Sequence, residues 1–200
     1  MNLPNKLTVM RMVLVPFMIF FYLADFMPFG IGKLVALAIF IVASLTDLLD
    51  GKIARKRNLV TNFGKFLDPI ADKLLTTSLL LLLVVDGTIA RPYGVIIAII
   101  IIAREFIVSG IRMLASNKGV VVAADMWGKL KTVVQMVALP VCLIYSYLLT
   151  LVKEGVNVVN WLELTFMYSS YILIVLATVL TIVSGINYLV NNKNCFKEEK

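Results

Sequence analysis

Asp47-Leu48-Leu49-Asp50-Gly51-Lys52-Ile53-Ala54-Arg55, separated by eight residues from Gly64-Lys65-Phe66-Leu67-Asp68-Pro69-Ile70-Ala71-Asp72, is the stretch on which the reading of this chain turns. It sets four carboxylates at the end of one apolar run and the beginning of the next. At 3.6 residues per turn, Asp47 and Asp50 share a helix face with Gly51 and Ala54, and Asp68 and Asp72 share one with Gly64. The connection between the two runs is short, so the acidic faces can oppose each other. A charged residue near the centre of a transmembrane segment costs roughly 2.5 to 3.5 kcal/mol, less near the interface, so this grouping calls for compensation.

Working outward, the rest of the chain is dominated by apolar residues: 60% of the 200 residues are hydrophobic and the mean hydropathy is +0.95. That is more apolar surface than one soluble globule of this length can hide, so much of it must face lipid. Hydropathy divides the chain into six spans, at Leu7 to Ala24, Lys33 to Ala54, Lys65 to Val85, Tyr93 to Ala115, Ala124 to Leu149 and Leu164 to Leu189. The segments between them hold Gly, Pro, Asp and Asn, the punctuation expected between helices. The expectation is an all-α polytopic membrane protein with six transmembrane helices, forming a single integral membrane domain over residues 1–200. Pro16 and Pro140 fall inside spans and should kink them or loosen a turn, while Pro69 falls early in its span. The first apolar stretch has no small-residue cleavage site before Pro28 and is expected to be a retained helix.

What is missing narrows the chemistry. There is no histidine, which removes His-dependent triads, imidazole bases and the usual zinc sites. The two cysteines, Cys142 in an apolar run and Cys195 in the polar tail, imply no disulfide framework. Carboxylates are left as the strongest candidates.

Of the 19 Lys and Arg residues, 16 lie on the side shared by the termini, the exceptions being Lys33, Arg91 and Lys153. Basic residues accumulate on cytoplasmic ends, so the termini and the acidic stretch are expected at the cytoplasmic face of the cell membrane. The net charge of +7 then attracts anionic headgroups and substrates there. No basic stripe with interleaved aromatics stands outside the spans, which argues against nucleic acid.

Four carboxylates in one dry cleft repel unless they are protonated or neutralised by cations. Two divalent ions cancel the charge, and oxygen-only ligands select Mg²⁺ or Mn²⁺ over zinc or copper. The plainer reading pairs these aspartates with Lys52, Arg55, Lys65 and Lys73 at a charged interface. The spacing is more particular than that: at a usage of roughly 6% each, its eight fixed positions coincide by chance with a probability on the order of 10⁻¹⁰.

This string resembles the signature of the CDP-alcohol phosphotransferase family, with every fixed position present. In that family six-helix enzymes cleave the pyrophosphate of a CDP-linked donor, release CMP and pass the phosphoryl-linked group to an alcohol. The resemblance implies that Asp47, Asp50, Asp68 and Asp72 hold the metal pair, that Asp72 is also the base on the acceptor hydroxyl, and that the chain forms a homodimer. Gly51 and Gly64 can let the nucleotide approach the helix backbone, or can serve close helix packing. Arg55 can grip phosphate, or snorkel to the interface.

The acceptor depends on other residues. Arg104 and Arg112 lie two turns apart on the fourth span, and Lys129 and Lys131 begin the fifth near the same edge. Together they form a candidate cationic pocket for a phosphorylated acceptor. The alternative is local pairing, Asp125 with Lys129 and Glu105 with a neighbouring arginine. The segment from Asn2 to Arg11, the block Ala103 to Arg112 and the run Gly128 to Thr132 are similar to bacterial members of the family that make phosphatidylglycerol phosphate. That similarity implies CDP-diacylglycerol as donor, glycerol 3-phosphate as acceptor, and contacts from Asn5 and Thr8 to the donor, although a helix cap at the surface explains those two as well. Inositol phosphate or serine as acceptor is the nearest alternative. A cation transporter is a further one, opposed by carboxylates clustered at one edge and by the lack of an inverted repeat.

Overall fold

The computed structural model describes residues 3–56, 62–89, 92–117 and 126–191, with side chains described outside 3–5, 47–56, 62–66, 68 and 114–117. Among these residues six α-helices follow one another: α1 Leu3–Tyr22, α2 Ile31–Lys56, α3 Asn62–Val85, α4 Tyr93–Asn117, α5 Met126–Lys153 and α6 Asn160–Asn191. A 3₁₀ turn, Pro28–Gly30, precedes α2. Each helix overlaps one of the apolar runs and most run a few residues further, but α1 ends at Tyr22 rather than Ala24, and α5 is described from Met126, the expected start at Ala124 lying outside the described residues. The helices continue through Pro16, Pro69 and Pro140.

Among the described residues, four stretches are long and apolar enough to cross a membrane, Pro28–Thr46, Tyr93–Met113, Met126–Lys153 and Asn160–Asn191. α1 and α3 differ in what they carry. The buried stripe of α1 runs Thr8, Arg11, Val15, Met18, Tyr22, a helical spacing that begins polar and turns apolar. α3 holds Lys65, Asp68, Asp72 and Lys73 in its first half and a leucine-rich buried stripe, with Leu75, Leu79, Leu80 and Leu83, in its second. The polar halves of both helices therefore lie at one end of the bundle.

The main core is an apolar cluster drawn mainly from α1, α2, α3 and α5, around Met18, Phe40, Leu79, Leu139 and Leu143, and a smaller one joins Val108 and Ile111 of α4 to Tyr188 of α6. α5 and α6 form the most extensive helix pair, and α1 packs on both α2 and α3. The face of α6 turned inward repeats Ser170, Ile174, Ala177, Thr181, Ser184 and Tyr188. Small side chains let two backbones approach in lipid, where no hydrophobic gain separates helix from tail. Their hydroxyls are satisfied within the helix, Thr181 Oγ1 donating to Ala177 O at 2.6 Å and Ser184 Oγ to Thr181 O at 3.2 Å. Close approach also joins α1 and α2: a Cβ on Gly32 would stand 2.2 Å from Phe21 O, which only glycine avoids.

At the end away from the acidic stretch, a polar knot holds four segments together. Asp86, just past α3, accepts hydrogen bonds from the Tyr22 hydroxyl, from Ser146 Oγ and, at 2.8 Å, from the Thr88 amide. Lys33 Nζ lies 3.2 Å from the same carboxylate and donates to Ser146 Oγ at 2.6 Å. Lys33, one of the three basic residues set apart from the side shared by the termini, thus has its charge paired. Arg91 lies outside the described residues, and Lys153 is exposed.

Candidate active site

The end of the bundle opposite the Asp86 knot gathers the starts of α1, α3 and α5 and the second halves of α2, α4 and α6. Asp47, Asp50, Gly51 and Arg55 belong to the last turns of α2, Gly64 and Asp68 to the first turns of α3, and Asn5 to the first turns of α1. Their side chains lie outside the described residues. The backbone nevertheless places all four signature aspartates on two consecutive helix ends joined by a short connection. Asp72 is half-buried, and Thr76 Oγ1 donates to its main-chain carbonyl at 3.1 Å. Thr8 is buried on the inner stripe of α1, one turn before the fully buried Arg11.

The basic residues resolve into two groups. In the first, Glu105 accepts from Lys131 Nζ and, at 3.2 Å, from Arg104 Nη1. Lys131 is 1% exposed, so its ammonium requires a partner, and the carboxylate from α4 supplies one. Arg104 Nε is buried and has no hydrogen-bond partner among the described residues. In the second group, Arg112 is exposed, with its guanidinium 5.6 Å from the centre of the Tyr188 ring. Lys129 is exposed, and Asp125, its expected local partner, lies outside the described residues. Glu105 therefore pairs with its neighbouring arginine, and with a lysine from another helix as well. Among the described side chains of these two groups, one carboxylate, Glu105, stands with four cations, Arg104, Arg112, Lys129 and Lys131.

Sequence reasoning did not single out Gly185 or Tyr188, both on α6 beside the arginines. Neither carries charge, and α6 has no acidic or basic residue except Glu163 at its far end. Beside Arg104, an open apolar cleft of about 230 Å³ runs between α4 and α6, lined by Ile107, Ile182 and Ile186 among others.

An all-helical bundle with a carboxylate-bearing helix pair and a basic group at the same end fits an enzyme that works on phosphate esters at a membrane. The chain belongs to the CDP-alcohol phosphatidyltransferase family, whose model matches residues 1–186. Among curated proteins, the CDP-diacylglycerol–glycerol-3-phosphate 3-phosphatidyltransferase of Bacillus subtilis strain 168 is 40% identical over 206 residues, covering 98% of this chain and 97% of that protein. The protein of the same name from Rickettsia bellii is 37% identical and covers 98% and 97%. That from Haemophilus influenzae is 37% identical and covers 94% and 91%.

Proposed function

We propose that this chain transfers the phosphatidyl group of CDP-diacylglycerol to glycerol 3-phosphate, giving phosphatidylglycerol phosphate and CMP. The observation that carries the reading is near-full-length similarity to proteins of that named activity, combined with an intact eight-position signature. In this reading all six helices span the cell membrane as one catalytic domain, the termini and the active end face the cytoplasm, and two copies associate.

Asp47, Asp50, Asp68 and Asp72 are a donor set suited to hard divalent ions, since no imidazole or thiolate accompanies them. Two Mg²⁺ or Mn²⁺ ions supply, when bound, neutralisation of the pyrophosphate and of the departing CMP. The protein's own groups do the rest. The primary hydroxyl of glycerol 3-phosphate attacks the phosphorus that bears diacylglycerol, the bond from that phosphorus to the bridging oxygen breaks, and CMP leaves with that oxygen. Asp72 takes the hydroxyl proton as charge develops, because an ordinary carboxylate is too weak a base to remove it beforehand. Gly51 and Gly64 give the nucleotide close access to backbone, Arg55 holds donor phosphate, and Asn5 and Thr8 line the donor's entry.

Arg104, Arg112, Lys129 and Lys131 receive the acceptor's phosphate. The partnerless Nε of Arg104 supports this, because a buried donor without an acceptor costs about 1 to 3 kcal/mol and an incoming phosphate oxygen relieves it. Glu105 holds Lys131 in place by a hydrogen bond, so Lys131 lines the pocket while already bonded. Purified protein supplied with CDP-diacylglycerol and Mg²⁺ is expected to release CMP when glycerol 3-phosphate is added, and not with inositol phosphate or serine. Absence of CMP release with glycerol 3-phosphate refutes the assignment.

A further inference from the structure

We propose that α6, which carries no charge near the active end, positions the two arginines of the acceptor pocket through Gly185 and Tyr188. The inference rests on the reading of Arg104 and Arg112 as phosphate ligands, and adds the element that aims them. Arg104 leaves α4 and passes α6 at Gly185, where an added Cβ would sit 3.2 Å from Arg104 Cγ. Its far end reaches α5 at Gly128, where an added Cβ would sit 3.1 Å from Nη2. The side chain is therefore bounded by a glycine at its stem and another at its tip. Both separations are tighter than ordinary van der Waals contact, so a methyl group at either glycine obliges the Arg104 side chain to give by a few tenths of an ångström, at its stem or at its tip.

One turn further along α6, Tyr188 is 2% exposed and packs with Val108 and Ile111 of α4. That packing fixes its ring, and the ring face holds Arg112 by a cation–π contact. The spacing of three places Gly185 and Tyr188 on neighbouring positions of one helix face, as the arginines are placed two turns apart on α4. α6 thus sets clearance for one arginine and a platform for the other. A positively charged wall acquires its geometry from a helix that contributes no charge to it.

The test compares Gly185→Ala, Gly128→Ala, Tyr188→Leu and Tyr188→Phe in purified full-length protein, with glycerol 3-phosphate and CDP-diacylglycerol titrated separately. Because displacement by less than an ångström weakens a positioned contact, Gly185→Ala and Tyr188→Leu are expected to raise KM for glycerol 3-phosphate about tenfold, with KM for CDP-diacylglycerol within about twofold. Tyr188→Phe keeps the ring and should retain the parent value. Gly128→Ala acts on the guanidinium tip and should resemble Gly185→Ala, which leaves a second route if one glycine variant does not fold. Unchanged acceptor KM in the folded variants, or a parallel rise in both KM values with loss of thermal stability, overturns the role of α6. Arg104→Ala and Arg112→Ala are measured alongside. If they raise acceptor KM while the α6 variants do not, only the α6 inference falls; if they too leave it unchanged, the acceptor pocket falls with it.

Discussion

Asp72 differs from the other three signature aspartates in the work assigned to it, and the difference is measurable. Asp72→Asn keeps the size of the side chain and removes its capacity to take a proton, so kcat should fall about 10²- to 10⁴-fold. Donor affinity, read by competition with CDP, should suffer less than in Asp68→Asn. Equal loss of binding in both variants removes the separate base role. For Arg112, replacement by Ala should raise the acceptor KM more than the donor KM, and Arg112→Lys should restore it only in part, because an ammonium keeps charge without the planar fork. The residue types at this end were legible in the sequence because carboxylates and arginines beside apolar runs stand out by their cost. The bond from Lys131 to Glu105 was not: the two are 26 positions apart, and only the apposition of α4 and α5 brings them together.

At the scale of elements, the six helices could be read because each is an apolar run bounded by turn formers; the structure lengthens most of them and shifts the first, expected over Leu7 to Ala24, to Leu3–Tyr22. The sixth, expected over Leu164 to Leu189, runs Asn160–Asn191. Its inner stripe of serine, alanine and threonine escaped notice because hydropathy averages it into the isoleucines and valines on the outer face. The polar knot was equally hidden, since Lys33, Asp86, Tyr22 and Ser146 come from four separate segments. Asp86 collects more donors than any other member, so Asp86→Ala should destabilise the protein by about 2 to 4 kcal/mol, and Lys33→Met by less. Thermal unfolding in detergent orders the two variants; the reverse order contradicts the description of the knot. Burial works against the Asp86 carboxylate, yet hydrogen bonds from Ser146, Thr88 and Tyr22 outweigh it and hold the group below its ordinary pKa. A carboxyl depressed in the folded state contributes its full stabilisation above the unfolded value of about 4 and loses it as pH falls through the lower folded value. Acid titration of unfolding should show that loss in the parent and not in Asp86→Ala.

For the whole molecule, the distribution of charge predicts which end faces the cytoplasm. An impermeant thiol reagent applied to intact cells should label a Glu154→Cys variant, placed in the exposed turn after α5, and should reach Cys195 only after the membrane is opened. Cys142 is buried and should react in neither case. Labelling of Cys195 from outside inverts the orientation. Removing divalent ions with a chelator should stop CMP release, and Mg²⁺ or Mn²⁺ should restore it; activity that survives chelation contradicts the carboxylate site. The knot at Asp86 has one more consequence. On the proposed activity, a donor with two acyl chains passes sideways into a bundle whose far end is riveted across α1, α2, the end of α3 and α5. Prising that end apart would strip donors from a buried carboxylate, so the parting that admits lipid is expected in the other half, and the molecule would open like tweezers, joined at the Asp86 end.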